Sequence, residues 1–293
     1  VDVLVVGGGI VGCAVTAACA RRGMSVTLVE RGPLACGASS LDLALLGIPV
    51  PSGLDARARS SEERYLEVHH FTGNSFFLDR MPVECDGVQN ALVRRIEVRG
   101  AARALAAEAR SYRAEIRTGV DVKGLLMHRS AVRGVRTDTD ELHAGTTVVA
   151  AGAETWRVCR AVGLHVPVAD VEGVLRVYPP AAIELEGALL TGDAWAALDE
   201  AGRIVVALGG TALSSSFLPK LAHVQPLDRR TIRYAGTADG LPLDGPLPGV
   251  EGLAVACGDG FHGVALAPAV GEGVAEGIAE GRWAEAYLPA RFL

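Results

Sequence analysis

The opening of the chain alternates apolar runs with glycine. Val1 to Val6 is apolar and β-branched apart from Asp2, and GGGIVG follows; Ile10 to Arg22 then has helical character, with Gly23 placed as a C-terminal cap. A second apolar run, Val26 to Val29, ends in Glu30. This pattern predicts a βαβ unit. Because the strands are continuously apolar rather than alternating, they suit a parallel sheet covered on both faces, and a doubly wound α/β architecture is expected. From Gly37 to Val93 the periodicity fails. Prolines 49, 51 and 82 and the charged, aromatic stretch Glu62 to Phe77 predict loops, short helices and part of another domain's sheet.

Regular patterning returns at Val98 to Tyr112, where Val98, Leu105, Ala109 and Tyr112 share a helical face. Ile116, Val120, Val122 and Leu125 resume a strand pattern, and Lys123 to Ala151 reads as short antiparallel strands leading into the buried strand Thr147 to Ala151, closed by Gly152. The strand-like runs Val171 to Val177 and Arg203 to Leu208 suggest the sheet of a second domain. At the end come an apolar strand (Gly252 to Cys257), a glycine-rich turn (Gly258 to Gly263) and a helix from Pro268 to Glu280, with Val270, Val274 and Ile278 on one face.

A length of 293 residues predicts about two domains. The net charge is −6, the only lysines are Lys123 and Lys220, and the arginines are scattered, which excludes a nucleic-acid footprint. Six cysteines form no CxxC pair and no metal-ligand spacing, so reduced, mostly buried thiols and no metal are expected. Val3 to Ala20 carries no charge, yet Gly7 to Gly9 interrupt it and Arg21 and Arg22 follow it, the reverse of a signal peptide. A cytoplasmic protein without a transmembrane segment is expected. The chain starts at Val1 inside a strand pattern, which predicts that native residues precede it.

Gly7, Gly9 and Gly12 form GxGxxG between the first strand and helix, and Glu30 stands 21 residues beyond Gly9 at the end of the next strand. In that context Gly7 makes the tight turn, Gly9 lets the backbone approach a pyrophosphate, and Gly12 lets helix pack on strand. The amides at the helix start attract phosphate charge, and Glu30 can accept hydrogen bonds from a ribose diol. An acid there favours FAD or NAD over NADP, and the fingerprint alone fits either.

The far end of the chain separates these two. ADGLPLDGPLPGVEGLAVACGDGFHGVALAPAVGEGVAEG (Ala238 to Gly281), together with the fingerprint, CGASS (Cys36 to Ser40), VVAAGAE (Val148 to Glu154) and the terminal LPARFL, resembles the D-amino-acid oxidase-like family of flavoproteins, of the glycine oxidase and sarcosine oxidase type. The resemblance implies a Rossmann-like FAD-binding domain assembled from N-terminal, middle and C-terminal segments (1–60, 95–165 and 236–293). A smaller α+β substrate domain with an antiparallel sheet (61–94 and 166–235) would complete the α/β fold. It implies non-covalent FAD held by Gly7, Gly9, Gly12 and Glu30, with Arg31 beside the adenosine and Ser39 and Ser40 near the pyrophosphate and flavin. Val122 would meet the adenine through its backbone, and Ala151 and Gly152 would pass close to the cofactor. The turn through Gly258, Gly260, Phe261, His262, Gly263 and Val264 would present backbone amides to the pyrimidine edge of the flavin. A turn leading into a helix N-terminus suits that task, because reduction places negative charge on this edge.

The reaction so implied is hydride transfer from the carbon bearing an amine to flavin N5, with O2 or an electron-acceptor subunit reoxidising the cofactor. Arg233 is the expected two-pronged anchor for a substrate carboxylate. Tyr178, Arg176 and His262 are further substrate-side candidates. The sequence departs from the family pattern in three places. IRYAGTADG has one residue more than the usual spacing, with Tyr234 in place of proline; Leu43-Ala44 stands where the family carries Ala-Gly; and the stretch between Leu78 and Val93 is short. The last departure predicts either a reduced substrate domain or omitted loops with the numbering closed up, and the second is expected. Oxidation of a 2-hydroxy acid, and a flavin-binding subunit without turnover in a homo- or hetero-oligomer, are the competing expectations.

Overall fold

The computed structural model describes residues 1–85, 88–191, 194–209 and 219–293. The first half contains strands β1 (Val3–Val6), β2 (Val26–Glu30), β3 (Ala44–Leu46), β4 (Phe77–Cys85), β5 (Val88–Ile96), β6 (Glu115–Thr118), β7 (Val122–His128), β8 (Ala131–Thr137), β9 (Glu141–His143) and β10 (Thr146–Val149). The second half adds β11 (Ala169–Tyr178), β12 (Ala188–Thr191), β13 (Ala194–Leu198), β14 (Ile204–Leu208), β15 (Asp228–Gly236), β16 (Leu243–Pro246) and β17 (Leu253–Cys257). Helices are α1 (Ile10–Arg21), α2 (Asp55–Thr72), α3 (Val98–Ser111), α4 (Thr155–Arg160) and α5 (Gly263–Glu280).

Among the described residues, one sheet has the order β16-β17-β10-β1-β2-β6. Its neighbours run parallel except at β16, with Val3 opposite both Val26 and Thr146, and Thr147 opposite Leu253. The two ends of the chain are therefore joined through β10 into one sheet. Val3, Leu4, Val5, Leu28, Val148 and Val255 are fully buried, which is why these strands read as unbroken apolar runs. One face packs against α1, α3, α5 and α2; the other is covered by the β7-β8-β9 sheet and residues of α4. Val3 to Ala20, the uncharged stretch, is thus a strand and a helix of the core. No helix among the described residues is long and apolar enough to cross a membrane.

Two helices differ from expectation. Residues 55–72, expected as loops and short helices, form the 18-residue helix α2, whose buried positions are only Ser61, Tyr65 and Val68. A stripe so narrow, one-third polar, leaves little periodic signal. Helix α5 begins at Gly263 rather than Pro268, and so carries a proline inside it. Proline has no N–H to give the carbonyl of residue 264 and crowds it. α2 supplies what is missing: the Tyr65 hydroxyl donates to the Val264 carbonyl at 2.8 Å, and the Ala269 N–H donates to Ser61 Oγ at 3.1 Å. The two departures have one cause, since α2's buried polar stripe is what lets α5 run through its proline. Residue 60, an expected domain boundary, lies inside this helix.

A second sheet has the order β15-β11-β14-β13-β12-β4-β5-β3, antiparallel except between β4 and β12. Strand alternation divides it into two faces. Leu175, Val177, Trp195, Ala197, Val205 and Ala207 form one core cluster, against which Leu41, Ile232 and Phe261 pack. Val174, Tyr178, Ala196, Ile204, Val206 and Leu208 form another on the far side. Cys13, Cys19, Cys159 and Cys257 are buried free thiols and Cys36 is an exposed one. The side chain of Cys85 lies outside the described residues.

Candidate active site

A cavity of about 750 Å³ runs between the two sheets, within the range of a cofactor or ligand site. Its wall includes Glu30, Arg31 and Val122, Gly7, Gly9, Ser39, Ser40, Ala151 and Gly152, and Gly258, Gly260, Phe261, His262, Gly263 and Val264. Phe261 and Gly9, 252 positions apart in sequence, thus line one space.

The glycines of the first turn do different jobs. Gly7 has φ +111°, and a Cβ there would lie 2.4 Å from the Ala150 carbonyl oxygen; one on Gly12 would lie 1.9 Å from the Gly7 oxygen. Those positions are closed by packing. A Cβ on Gly9 would meet only Ser39 Oγ, at 3.3 Å, so this residue opens to the cavity. Glu30, at the end of β2, is buried and holds the turn: its Oε2 accepts the Gly8 N–H at 2.7 Å and its Oε1 the Gly32 N–H at 2.8 Å. Ser39 Oγ accepts the Ile10 N–H at 2.9 Å, bringing the CGASS segment onto the start of α1.

Helices α1 and α5 both begin at this cavity. Neither has a side-chain N-cap hydrogen bond or an acidic residue in its first turn. Two helix N-termini at one cavity place the positive ends of two helix dipoles at its wall. Beside the second lies Asp259, whose carboxyl is pushed up to about 7, first by burial and then by the nearby Asp244 charge, with Arg57 opposing. Asp244 is pushed up to about 6 by burial, although Arg57 Nη2 contacts its Oδ2 at 2.5 Å. The fingerprint reading missed both carboxylates. The signal was present in GDG and PLDGP, but what matters is their shared burial, which only the fold supplies.

The substrate-side candidates need correction. Tyr178 is buried on the far face of the antiparallel sheet, in the cluster with Val174 and Ile204, and does not line the cavity. Arg176, two residues before it, shares that face of β11 and is absent from the cavity wall as well. Arg233 reaches the wall, but its guanidinium is engaged: Nη2 and Nε meet the two oxygens of Asp170, the latter at 3.2 Å, and Glu154 lies 3.7 Å away. A fork already filled by a carboxylate is poorly disposed to take a second. Three residues earlier, Arg230 sits opposite Leu175 and therefore on the face of Ile232, towards the cavity it lines. The sequence showed the strand and its alternation but not which face was inward. His262 lines the cavity, with its ring edge-on to Phe261.

The family model described as FAD dependent oxidoreductase (DAO) matches residues 2–72 and 51–277. The chain belongs to the FAD dependent oxidoreductase family. Within that family, glycine oxidase of Pseudomonas aeruginosa is 30% identical over 174 residues, which is 53% of this chain and 47% of that protein. The hydrogen cyanide synthase subunit HcnC of Pseudomonas protegens is 30% identical over 171 residues, 51% of this chain and 40% of that protein. These matches span about half the length of the curated relatives or less. The crystal structure of L-proline dehydrogenase from P. horikoshii shares the fold, with a TM-score of 0.83 at 21% identity, over 99% of this chain and 97% of that one.

The residues present fit FAD. The open face of Gly9 beside α1 suits a pyrophosphate, the Glu30 carboxylate on the same wall suits a ribose diol, and the start of α5 suits the electron-rich edge of a flavin ring. Among the described residues no group of three or more His, Cys, Asp or Glu side chains is arranged to hold a metal ion.

Proposed function

We propose that this protein binds FAD non-covalently along the cavity and oxidises an amine or amino acid at the carbon bearing nitrogen, passing the electrons to O2 or to an acceptor subunit. One observation carries the reading: two helix N-termini, from opposite ends of the chain, open into one space roofed by an antiparallel sheet. Bound there, FAD supplies a two-electron acceptor for the hydride of the substrate C–H bond. The nitrogen loses a proton to water, and water hydrolyses the imine to a carbonyl compound and ammonia or an amine. The chain's part is placement: Gly7, Gly9, Gly12, Glu30, Arg31, Ser39 and Ser40 for the dinucleotide end, Val122, Ala151 and Gly152 along it, and Gly258 to Val264 at the ring. The parallel-sheet half, with α2 added to it, is the cofactor domain in this reading, and the antiparallel sheet covers the substrate. For the carboxylate, Arg230 replaces Arg233 as the anchor.

Non-covalent attachment is consistent with the thiols: Cys257 is buried and burial pushes it up strongly, and the Cys36 thiol is turned to Glu30 Oε1 at 3.5 Å. Acid precipitation of the purified protein is expected to release yellow cofactor, and colour kept in the pellet overturns that attachment. The reaction is tested by anaerobic addition of amino acids, N-methylated glycines and 2-hydroxy acids to the yellow protein. Bleaching by amines supports the proposal, bleaching by hydroxy acids alone replaces it with hydroxy-acid oxidation, and bleaching by neither points to a subunit without turnover. Hetero-oligomeric assembly is supported by the subunit name of the HcnC relative, and size measurement of the complex from its native host tests it.

A further inference from the structure

The cavity has two unlike walls. Its floor is backbone: the turn around Gly9 and the turn around Gly260 present amides and few side chains. Its roof is the inner face of the antiparallel sheet, where Leu45, Ile48, Trp195, Ala207 and Ile232 stand beside Tyr234, with Phe261 meeting them from the floor. Trp195 and Ala207 are directly opposite each other on β13 and β14, so the indole and its neighbours form one continuous apolar surface. At the edge of that face Arg230 on β15 enters the cavity wall, on the same side of the strand as Ile232. Its Nε contacts Asp228 Oδ2 at 2.5 Å, which fixes the stem and leaves the two Nη groups at the end of the fork.

A surface of this kind complements a molecule with one carboxylate at the arginine and an apolar body beside it. Glycine or sarcosine would satisfy the arginine and leave the partly exposed Ile232 and Phe261, with the edge of the buried Trp195 behind them, uncovered. Resting on the amine-oxidation reading above, we infer that the substrate is an amino acid with a sizeable apolar side chain, carboxylate towards Arg230 and side chain against Trp195 and Ile232. Each added methylene that fills such a pocket is worth roughly tenfold or more in selectivity.

The test uses the FAD-containing protein. Acetate, 4-methylpentanoate and 3-phenylpropanoate, which carry no amine to oxidise, are titrated while the flavin absorption band and tryptophan fluorescence are followed. In parallel, anaerobic bleaching is timed with glycine, sarcosine, leucine, proline and phenylalanine. The larger acids are expected to bind about tenfold or more tightly than acetate, with leucine or phenylalanine bleaching faster than glycine. Trp195→Ala should erase the preference for the larger acids, and Ile232→Ala, a milder change, should reduce it. Arg230→Met should weaken all three acids alike, with FAD content unchanged in every variant. Equal binding of all three acids with glycine bleaching fastest overturns the inference and leaves amine oxidation standing. Bleaching by no amine overturns the reading beneath it. Unchanged binding in Arg230→Met removes the anchor and with it the orientation proposed.

Discussion

The molecule builds the same junction twice, strand to glycine turn to helix, once at β1–α1 and once at β17–α5, and finishes the two differently. The first is almost self-contained. Gly12 packs on the Gly7 carbonyl, Glu30 takes the Gly8 and Gly32 amides, and Ser39 takes the Ile10 amide, all within forty residues. The second depends on a helix some two hundred residues earlier. Pro268 leaves the Val264 carbonyl without its helical partner, and α2 repairs the ladder with Tyr65 and Ser61. A junction closed by its own backbone tolerates no added atoms, whereas one completed by distant side chains can be weakened a step at a time.

The severest way to break the first junction is Gly12→Val. Its Cβ would stand 1.9 Å from the Gly7 carbonyl oxygen, which is backbone and has nowhere to move. The expected outcome is loss of folded, FAD-retaining protein, read from soluble yield and the flavin band. Folding with full cofactor content would show that this helix start has far more room than the packing allows.

The second junction carries a pH dependence. Because the folded state raises Asp259 to about 7 from an ordinary 3.8, it holds that proton more tightly than the unfolded chain does. The contribution of Asp259 to stability is therefore full below about pH 4, falls as pH rises towards about 7, and is flat above, a loss on the order of a few kcal/mol. Asp244, raised to about 6, adds to the same slope but finishes earlier. In Asp259→Asn, denaturant midpoints measured from pH 4 to 8 should decline less and stop declining near pH 6. A curve identical to that of the unmodified protein would remove Asp259 as its source.

These contrasts also explain what was readable in advance. The first junction is written locally, in GxGxxG and Glu30, and the parallel strands announce themselves because both faces are buried. Nothing local announces α2: its buried stripe is Ser61, Tyr65 and Val68, and its polar members earn their place only against Pro268. The start of α5 was hidden for the same reason, since a proline reads as a helix start unless its repair is known. On the substrate side, alternation along β11 and β15 separated Tyr178 from Leu175 and Arg233 from Arg230. Which side faced the cavity was set by the packing of Phe261 and Leu41, a contact between distant segments.

Tyr65→Phe removes the hydroxyl that serves Val264 and changes little else in volume. A carbonyl left buried and unpaired costs about 1–3 kcal/mol, and the expected loss of unfolding free energy lies in that range. Pairing it with Pro268→Ala sharpens the comparison, because alanine restores the N–H that the tyrosine replaces. In the Pro268→Ala background the Tyr65→Phe loss should fall to a few tenths of a kcal/mol, a coupling that a double-mutant cycle measures directly. An undiminished loss would mean that Tyr65 stabilises α5 by packing alone.

The smallest difference is the most direct comparison of the two junctions. Ser39 and Ser61 do the same thing, each accepting one amide near the start of a helix, at 2.9 Å from Ile10 and 3.1 Å from Ala269. Both are buried, so replacing either by alanine should cost about 1 kcal/mol in stability. Their effects on cofactor retention should diverge. Ser39 lines the cavity beside Gly9, and its loss frees the Ile10 amide at the very place where a phosphate would take it; Ser61 lies behind α5, away from the cavity wall. FAD dissociation measured by dilution should therefore change in Ser39→Ala and stay within about twofold of the unmodified protein in Ser61→Ala, a difference under about 0.5 kcal/mol. Equal changes in both would mean that the start of α5 is as tightly coupled to the dinucleotide as the start of α1, and that the two junctions differ in construction but not in what they hold.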